Sequence, residues 1–171
     1  MILAATLRDA SWITANLRPL DRQETYCQLP EGVGNVQLAA FLVERGALIA
    51  YDREEPVLLF GTAPMTTCAL SVWALGPERT PRVIPEVSRH FIADHIPQRL
   101  DQGFLTMEAR SIATHGEAHR WMEGMGGERH GDAYLYGKGG EFFVTYRWTV
   151  SSYRAISRSR WADAVPLGVQ N

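Results

Sequence analysis

The stretch CALSVWALGPERTPRVIPEVSRHFIADHIPQRLDQGFLTMEARSIATHGEAHRWMEGMGG, residues 68–127, decides the fold of this chain. Its first apolar run, Cys68–Leu75, predicts a strand, and the charged, proline-rich residues after it predict a loop. Apolar residues recur at helical spacing over Val83–Leu100, which predicts the longest helix. Phe104–Arg110 alternates between apolar and polar side chains, as a half-buried strand does, and Thr114–Met125 predicts a short amphipathic helix. The order is therefore strand, loop, helix, strand, helix and glycine turn.

Shorter elements flank this stretch on both sides. Ile2–Leu7 predicts a first strand, and capping residues with apolar spacing predict two or three helices before Gly46. Thr62–Thr67 is polar and contains a proline, which predicts a turn. Short apolar runs around polar turns predict two hairpins, Ala47–Tyr51 with Pro56–Phe60 and Tyr134–Tyr136 with Phe142–Trp148. We therefore expect one mixed α/β domain over residues 1–148 and a C-terminal extension over residues 149–171.

The composition excludes several classes of protein. The 171 residues are 46% hydrophobic and 21% charged, with a formal net charge of −2, which is usual for one globular domain. No global basic field is present to favour nucleic acid, and no apolar run approaches the roughly 20 residues that cross a bilayer. The N-terminus does not read as a secretory signal, and Cys27 and Cys68 make no disulfide or metal pattern. We expect a cytoplasmic protein that binds neither nucleic acid nor membranes.

Three short segments carry a resemblance to a known family: ASWITANLRPLDRQETY (10–26), PVLLFGTAP (56–64) and SVWALG (71–76). Together with the order of the elements, they resemble acetyltransferase-like proteins of tailed phages, within the acyl-CoA N-acyltransferase (GNAT) superfamily. Some of those relatives are internal or assembly proteins of short-tailed phages. The resemblance implies a mixed, mostly antiparallel sheet flanked by helices and splayed between the strands at about 68–75 and 104–110. A phage-encoded protein of this kind would act in the host cytoplasm or in the virion.

The resemblance also implies an acetyl-CoA site in the splay. The loop that follows the first of the two strands would wrap the pyrophosphate with backbone N–H groups. The backbone of four residues in that strand would pair with the pantetheine arm, namely Val72, Trp73, Ala74 and Leu75.

The pyrophosphate loop departs from the family pattern. Gly76 is its only glycine, and Pro81 and Pro85 have no N–H to donate to a phosphate. We therefore interpret the loop as degenerate. Two arginines leave an alternative open, because Arg79 and Arg82 would either bind phosphate through their side chains or lie solvated in the loop.

The catalytic groups of the family are also hard to find. Met122 stands where many members have a tyrosine that protonates the leaving thiolate. Tyr134 or Tyr136 on the next strand is a candidate substitute, although aromatic residues are common in strands. Glu108, on the polar side of its strand, and Glu78, just past the earlier strand, are candidate general bases for an amine. A half-exposed structural carboxylate is the plainer interpretation of Glu108.

Three functions stay open from the sequence. The first is an N-acetyltransferase that uses acetyl-CoA and a primary amine of a protein or small molecule. The second is a non-enzymatic phage protein, virion-internal, assembly or host-interacting, that keeps the acetyltransferase scaffold, and the third is a regulatory binder without turnover. His115 and His119 share a helix face but lack the other ligands of a zinc site, so we predict no metal. The arginine-rich residues 149–171 form either a surface extension or a contact for a protein partner, and the oligomeric state is open.

Overall fold

A computed structural model describes residues 1–153 and contains one seven-stranded sheet in the order β1-β2-β3-β4-β5-β7-β6. The strands are β1 (Ile2–Ala4), β2 (Leu48–Asp52), β3 (Glu55–Pro64), β4 (Ala69–Leu75), β5 (Thr106–Ile112), β6 (Glu128–Leu135) and β7 (Phe142–Thr149). The helices are α1 (Leu7–Ala15), α2 (Pro19–Tyr26), α3 (Asn35–Glu44), α4 (Ile84–His90), α5 (Ile96–Asp101) and α6 (Gly116–Gly124). Neighbouring strands are antiparallel except β4 and β5, which are parallel. The predicted mixed, mostly antiparallel α/β fold is confirmed.

Helices cover both faces of the sheet, and the alternation of side chains along the strands explains how. In β3, Leu59 joins the cluster formed with α1 and α3, whereas Leu58 and Phe60 join Val83 and Val87 on the opposite face. Successive strand residues point to opposite faces, so a strand buried on both sides is apolar throughout. A third cluster joins residues 91–96 and α6 to β5 and β7 through buried residues that include Phe91, Ile96, Met122 and Trp148.

The predicted long helix over residues 83–100 is interrupted. The chain forms α4, then a π-helical segment, Phe91–His95, and then α5. Within the π-helical segment the N–H of Ile96 bonds the carbonyl oxygen of Phe91, five residues earlier. Pro97 explains the change, because it has no N–H and its ring would collide with the carbonyl of the preceding turn in a regular α-helix. The wider turn places Pro97 in the first turn of α5, where no donor is needed.

Two strands are longer than the sequence pattern predicts. β3 runs on to Pro64, where a turn is predicted, because its last residues pair with β4 as far as Leu70. β6 begins at Glu128 rather than near Tyr134, and its pairing with β7 shifts register between His130 and Tyr134. This irregularity breaks the alternation by which the first half of the strand would be recognised. The predicted extension lies outside the described residues from residue 154 onward.

Candidate active site

The two parallel strands separate part of the way along their length. β4 pairs with β5 only from Ala69 opposite Thr106 to Val72 opposite Ala109, although both strands continue beyond these residues. A cavity of about 300 Å³ occupies the gap. Side chains of α2 and α3 line it on one face of the sheet, and side chains of α4 and α6 line it on the other. Residues from both faces of the sheet therefore meet in this cavity, and its volume lies at the lower limit of small-molecule sites.

The residues predicted to contact a pantetheine arm all line this cavity, namely Val72, Trp73, Ala74 and Leu75. β4 is paired with β3 along its other edge, with Trp73 opposite Gly61 and Leu75 opposite Leu59. In an antiparallel pair, alternate residues turn their N–H and C=O away from the partner strand. Gly76 turns both groups towards α2, so by the same alternation Ala74 turns its backbone groups into the gap. These groups are available to an amide-containing ligand.

Helix α2 takes the place of the missing strand partners at the wide end of the gap. At the end of β4, the N–H of Gly76 donates to Asp21 at 2.9 Å, and the N–H of Arg18 donates to the Gly76 carbonyl at 3.1 Å. At the end of β5, the N–H of Ile112 donates to Glu24 Oε2 at 2.8 Å. The hydroxyl of Ser111 donates to the same oxygen, also at 2.8 Å. Backbone groups freed by the splay are thus satisfied by two carboxylates one helical turn apart.

A histidine from the start of α6 completes this group. His115 is 3% exposed, with Nδ1 3.3 Å from Glu24 Oε2 and Nε2 3.6 Å from Asp21 Oδ1. Burial raises the pKa of Asp21, and the charge of Arg18 at 2.9 Å opposes that rise. We define Arg18, Asp21, Glu24 and His115 as the α2 cluster. The sequence analysis missed it, although the spacing of Asp21 and Glu24 already places both carboxylates on one helix face.

The loop predicted to wrap a pyrophosphate is folded on itself. The N–H groups of Thr80, Arg82 and Val83 donate to carbonyl oxygens within the loop, at 3.0 to 3.1 Å. Arg79 forms an ion pair with Glu55, and Arg82 lies 3.0 Å from Asp52. Both arginine side chains are mostly exposed. Because their partners are Glu55 and Asp52, both are directed at the β2–β3 hairpin.

The predicted catalytic residues lie apart from one another. The Glu108 carboxylate accepts two hydrogen bonds from Arg147 and lies outside the lining of the cavity. Glu78 is exposed in the loop after β4. The Tyr134 hydroxyl lies 3.2 Å from Thr145 Oγ1, near the far edge of the sheet. The fold does not bring these three side chains together, and their catalytic roles stay predictions.

Helix α6 supplies the wall opposite the α2 cluster. Met122, which the sequence analysis placed where many family members have a tyrosine, is 6% exposed and lines the cavity. The indole N–H of Trp121 donates to Ser88 Oγ at 2.8 Å and so joins α6 to α4.

In residues 1–153, no three His, Cys, Asp or Glu side chains are grouped closely enough to hold a metal ion. Within the same range, no helix has the length and apolar character to span a membrane.

The solved structures that are similar to this chain include several acetyltransferases. An N-acetyltransferase from Staphylococcus aureus Mu50 superposes with a TM-score of 0.67 at 12% identity, covering 87% of this chain and 97% of that one. Ard1 from Thermoplasma volcanium gives 0.65 at 12% identity, covering 88% and 97%. YncA from Salmonella typhimurium, an acetyltransferase solved with acetyl-CoA, gives 0.65 at 11% identity, covering 88% and 93%.

Sequence comparison alone finds none of these relationships. A scan against protein-family models gives no match, and a search of curated proteins gives none either. At such low identity the structural likeness establishes the fold, and the splay between β4 and β5 is part of it. The chain therefore has the fold of the GNAT-family acetyltransferases.

Proposed function

We propose that the protein is an N-acetyltransferase that moves an acetyl group from acetyl-CoA to a primary amine. The observation that carries the proposal is the gap between β4 and β5, where the free backbone edge at Ala74 meets a cavity lined by helices from both faces of the sheet. A thioester arm reaching in from the α4–α6 face would meet an amine entering from the α2–α3 face. Proximity of this kind lowers the barrier of a bimolecular step.

The reaction forms a carbon–nitrogen bond and breaks a carbon–sulfur bond. A protonated amine loses one proton before its nitrogen attacks the thioester carbonyl, and it loses a second as the amide forms. The leaving sulfur takes up one of these protons and solvent takes the other. Glu24 supports the first step, because its three side-chain hydrogen-bond partners in the described part of the chain all contact Oε2, which leaves Oε1 to accept from the amine.

The loop sets the expected strength of donor binding. Its internal hydrogen bonds and its prolines leave few N–H groups for a diphosphate, so we propose that the degenerate loop contributes little to binding. Each charge-assisted hydrogen bond is worth about 1.5–3 kcal/mol. Two missing bonds correspond to a loss of roughly two to four orders of magnitude in affinity. The phage origin, the location in the cell and the non-enzymatic alternative stay predictions from the sequence.

The test compares two donors, acetyl-CoA and S-acetylpantetheine, which lacks the nucleotide. Calorimetry measures binding, and release of thiol in the presence of a mixture of primary amines measures transfer. We expect transfer from both donors, with kcat/KM values within about tenfold of each other. A donor preference of two orders of magnitude or more would contradict the degenerate loop. No binding and no transfer with either donor would refute the enzymatic proposal.

A variant links this activity to the gap. In Ala74→Pro the lost N–H faces the gap and not β3, so the β3–β4 pairing is retained. We expect the variant to fold and to bind both donors more weakly by about tenfold. Donor binding equal to that of the wild-type protein would place the thioester arm elsewhere.

A further inference from the structure

The acceptor side of the cavity has walls from two parts of the chain. α2 contributes Glu24, and the segment after it contributes Gln28 and Leu29. α3 contributes an apolar wall of Leu38, Phe41 and Leu42. The turn between β6 and β7 reaches the segment after α2, because Lys138 donates its N–H to the Cys27 carbonyl at 2.9 Å and its ammonium to the Leu29 carbonyl at 3.1 Å.

The volume of the cavity limits the size of the acceptor. The β6–β7 turn borders the segment after α2 but does not line the cavity, so it sets no limit by itself. The cavity of about 300 Å³ must hold the reacting end of the donor as well as the acceptor. Pockets for small ligands begin near this volume. The volume therefore favours a small molecule as the acceptor.

The charges near the cavity indicate where an ammonium group would bind. Arg18 is paired with Asp21 at 2.9 Å and with Glu117 at 3.1 Å, so its charge is balanced by two carboxylates. Arg110 lies over the ring of Tyr136, 5.3 Å from its centroid, with Glu108 3.9 Å from its guanidinium. Glu24 has no arginine or lysine partner within ion-pairing distance among the described residues. Within residues 1–153, its Oε1 is the carboxylate oxygen on this side that lacks a hydrogen-bond partner.

From these walls and charges we infer that the acceptor is a small primary amine on an apolar group, with its ammonium on Glu24 and its apolar part against Leu38, Phe41 and Leu42. This inference rests on the proposed function, because the amine is taken to be the acceptor of the acetyl group. Binding of the amine by itself does not require a donor. Burial of the apolar part adds roughly 0.8 kcal/mol per CH₂ group, or about a fourfold gain in affinity. Glu24 is thus a specificity-determining residue as well as a proton acceptor.

The experiment measures amine binding directly by calorimetry, with no donor present. Hexylamine is the probe, hexanol removes its charge, and 2-(2-aminoethoxy)ethanol removes its apolar chain. We expect both comparison compounds to bind at least tenfold more weakly than hexylamine. Equal binding of either one would overturn the inference. A transfer assay with a lysine-containing octapeptide tests the size limit, and faster acetylation of the peptide than of hexylamine would also overturn it.

A matched pair of variants tests the role of Glu24. Glu24→Gln keeps an oxygen for Ile112 and Ser111 but removes the charge, so we expect stability close to wild type and about tenfold weaker hexylamine binding. Glu31→Gln makes the same change at an exposed position outside the cavity and should bind normally. Unchanged binding by Glu24→Gln would overturn the inference. If the variant does not fold, the binding of the three amine and alcohol probes to the wild-type protein still tests the inference. A failure to bind the donor, with normal amine binding, would count only against the proposed function.

Discussion

Gly76→Ala should destabilise the protein because residue 76 has no room for a side chain. A Cβ added there would overlap Thr80 Oγ1 and would lie 3.0 Å from the Val57 carbonyl oxygen. The backbone of Gly76 is not in the left-handed region, which six other glycines of residues 1–153 occupy. Space rather than backbone conformation therefore requires glycine at this position. The neighbouring Thr80 is 2% exposed, so it has little freedom to move away.

The magnitude follows from what Thr80 would lose. Its hydroxyl lies 2.7 Å from the Pro77 carbonyl and 3.0 Å from the Val57 carbonyl, and it anchors the loop to β3. Losing this buried hydrogen bonding costs about 1–2 kcal/mol, and overpacking adds about 1–3 kcal/mol. We expect Gly76→Ala to lower the free energy of unfolding by about 2–5 kcal/mol.

Urea unfolding of four variants measures this effect. Thr80→Ala alone should cost about 1–2 kcal/mol, and the double variant should cost at least about 1 kcal/mol less than the sum of the two single changes, because the worst overlap is gone. Gly124→Ala is the control, since a Cβ there has no neighbour within 4 Å, and it should change stability by less than about 0.5 kcal/mol. A Gly76→Ala variant as stable as the wild type, or strict additivity in the double variant, would contradict the reasoning.

Two further predictions concern α4, α6 and the π-helical segment. Burial, with smaller effects from Arg99 and His90, lowers the pKa of His95 to about 4. Unfolded His95 takes up a proton near pH 6.5, so its contribution to the free energy of unfolding is complete above that pH. It is lost as the pH falls towards 4, by at most about 3 kcal/mol. His95→Gln should weaken this pH dependence of stability in urea titrations at several pH values, and an unchanged pH dependence would exclude His95 as its source. Trp121→Phe should cost about 1 kcal/mol by removing the N–H bonded to Ser88, and a double-mutant cycle with Ser88→Ala that gives no coupling would show that the bond contributes nothing.

Local patterns predicted the elements that lie on regular geometry. Strand alternation and helical spacing located β4, β5, α6 and β7 to within a few residues, because side-chain burial repeats with the period of the element. The pattern failed where the backbone leaves that period. Pro97 produced a π-helical segment that apolar spacing does not reveal, and the register shift after His130 concealed the first half of β6.

The candidate site was only half predictable. The residues of β4 that line the cavity follow from the order of the elements and from the family resemblance. Sequence also raised the possibility that Arg79 and Arg82 bind phosphate, whereas the hairpin between β2 and β3 places Glu55 and Asp52 beside them. Which carboxylate an arginine meets depends on strand pairing, and spacing along the chain does not determine it.

The amino-acid sequence by itself determined the succession of strands and helices, the apolar faces and the single glycine, Gly76, of the loop after β4. Only the tertiary structure decided that α2 lies across the open end of the split sheet and brings Asp21 and Glu24 to His115, 91 residues beyond Glu24. The physical reason is range. Periodicity reflects contacts within a few residues, whereas the α2 cluster exists because β4 and β5 separate and leave backbone groups that a distant helix must satisfy.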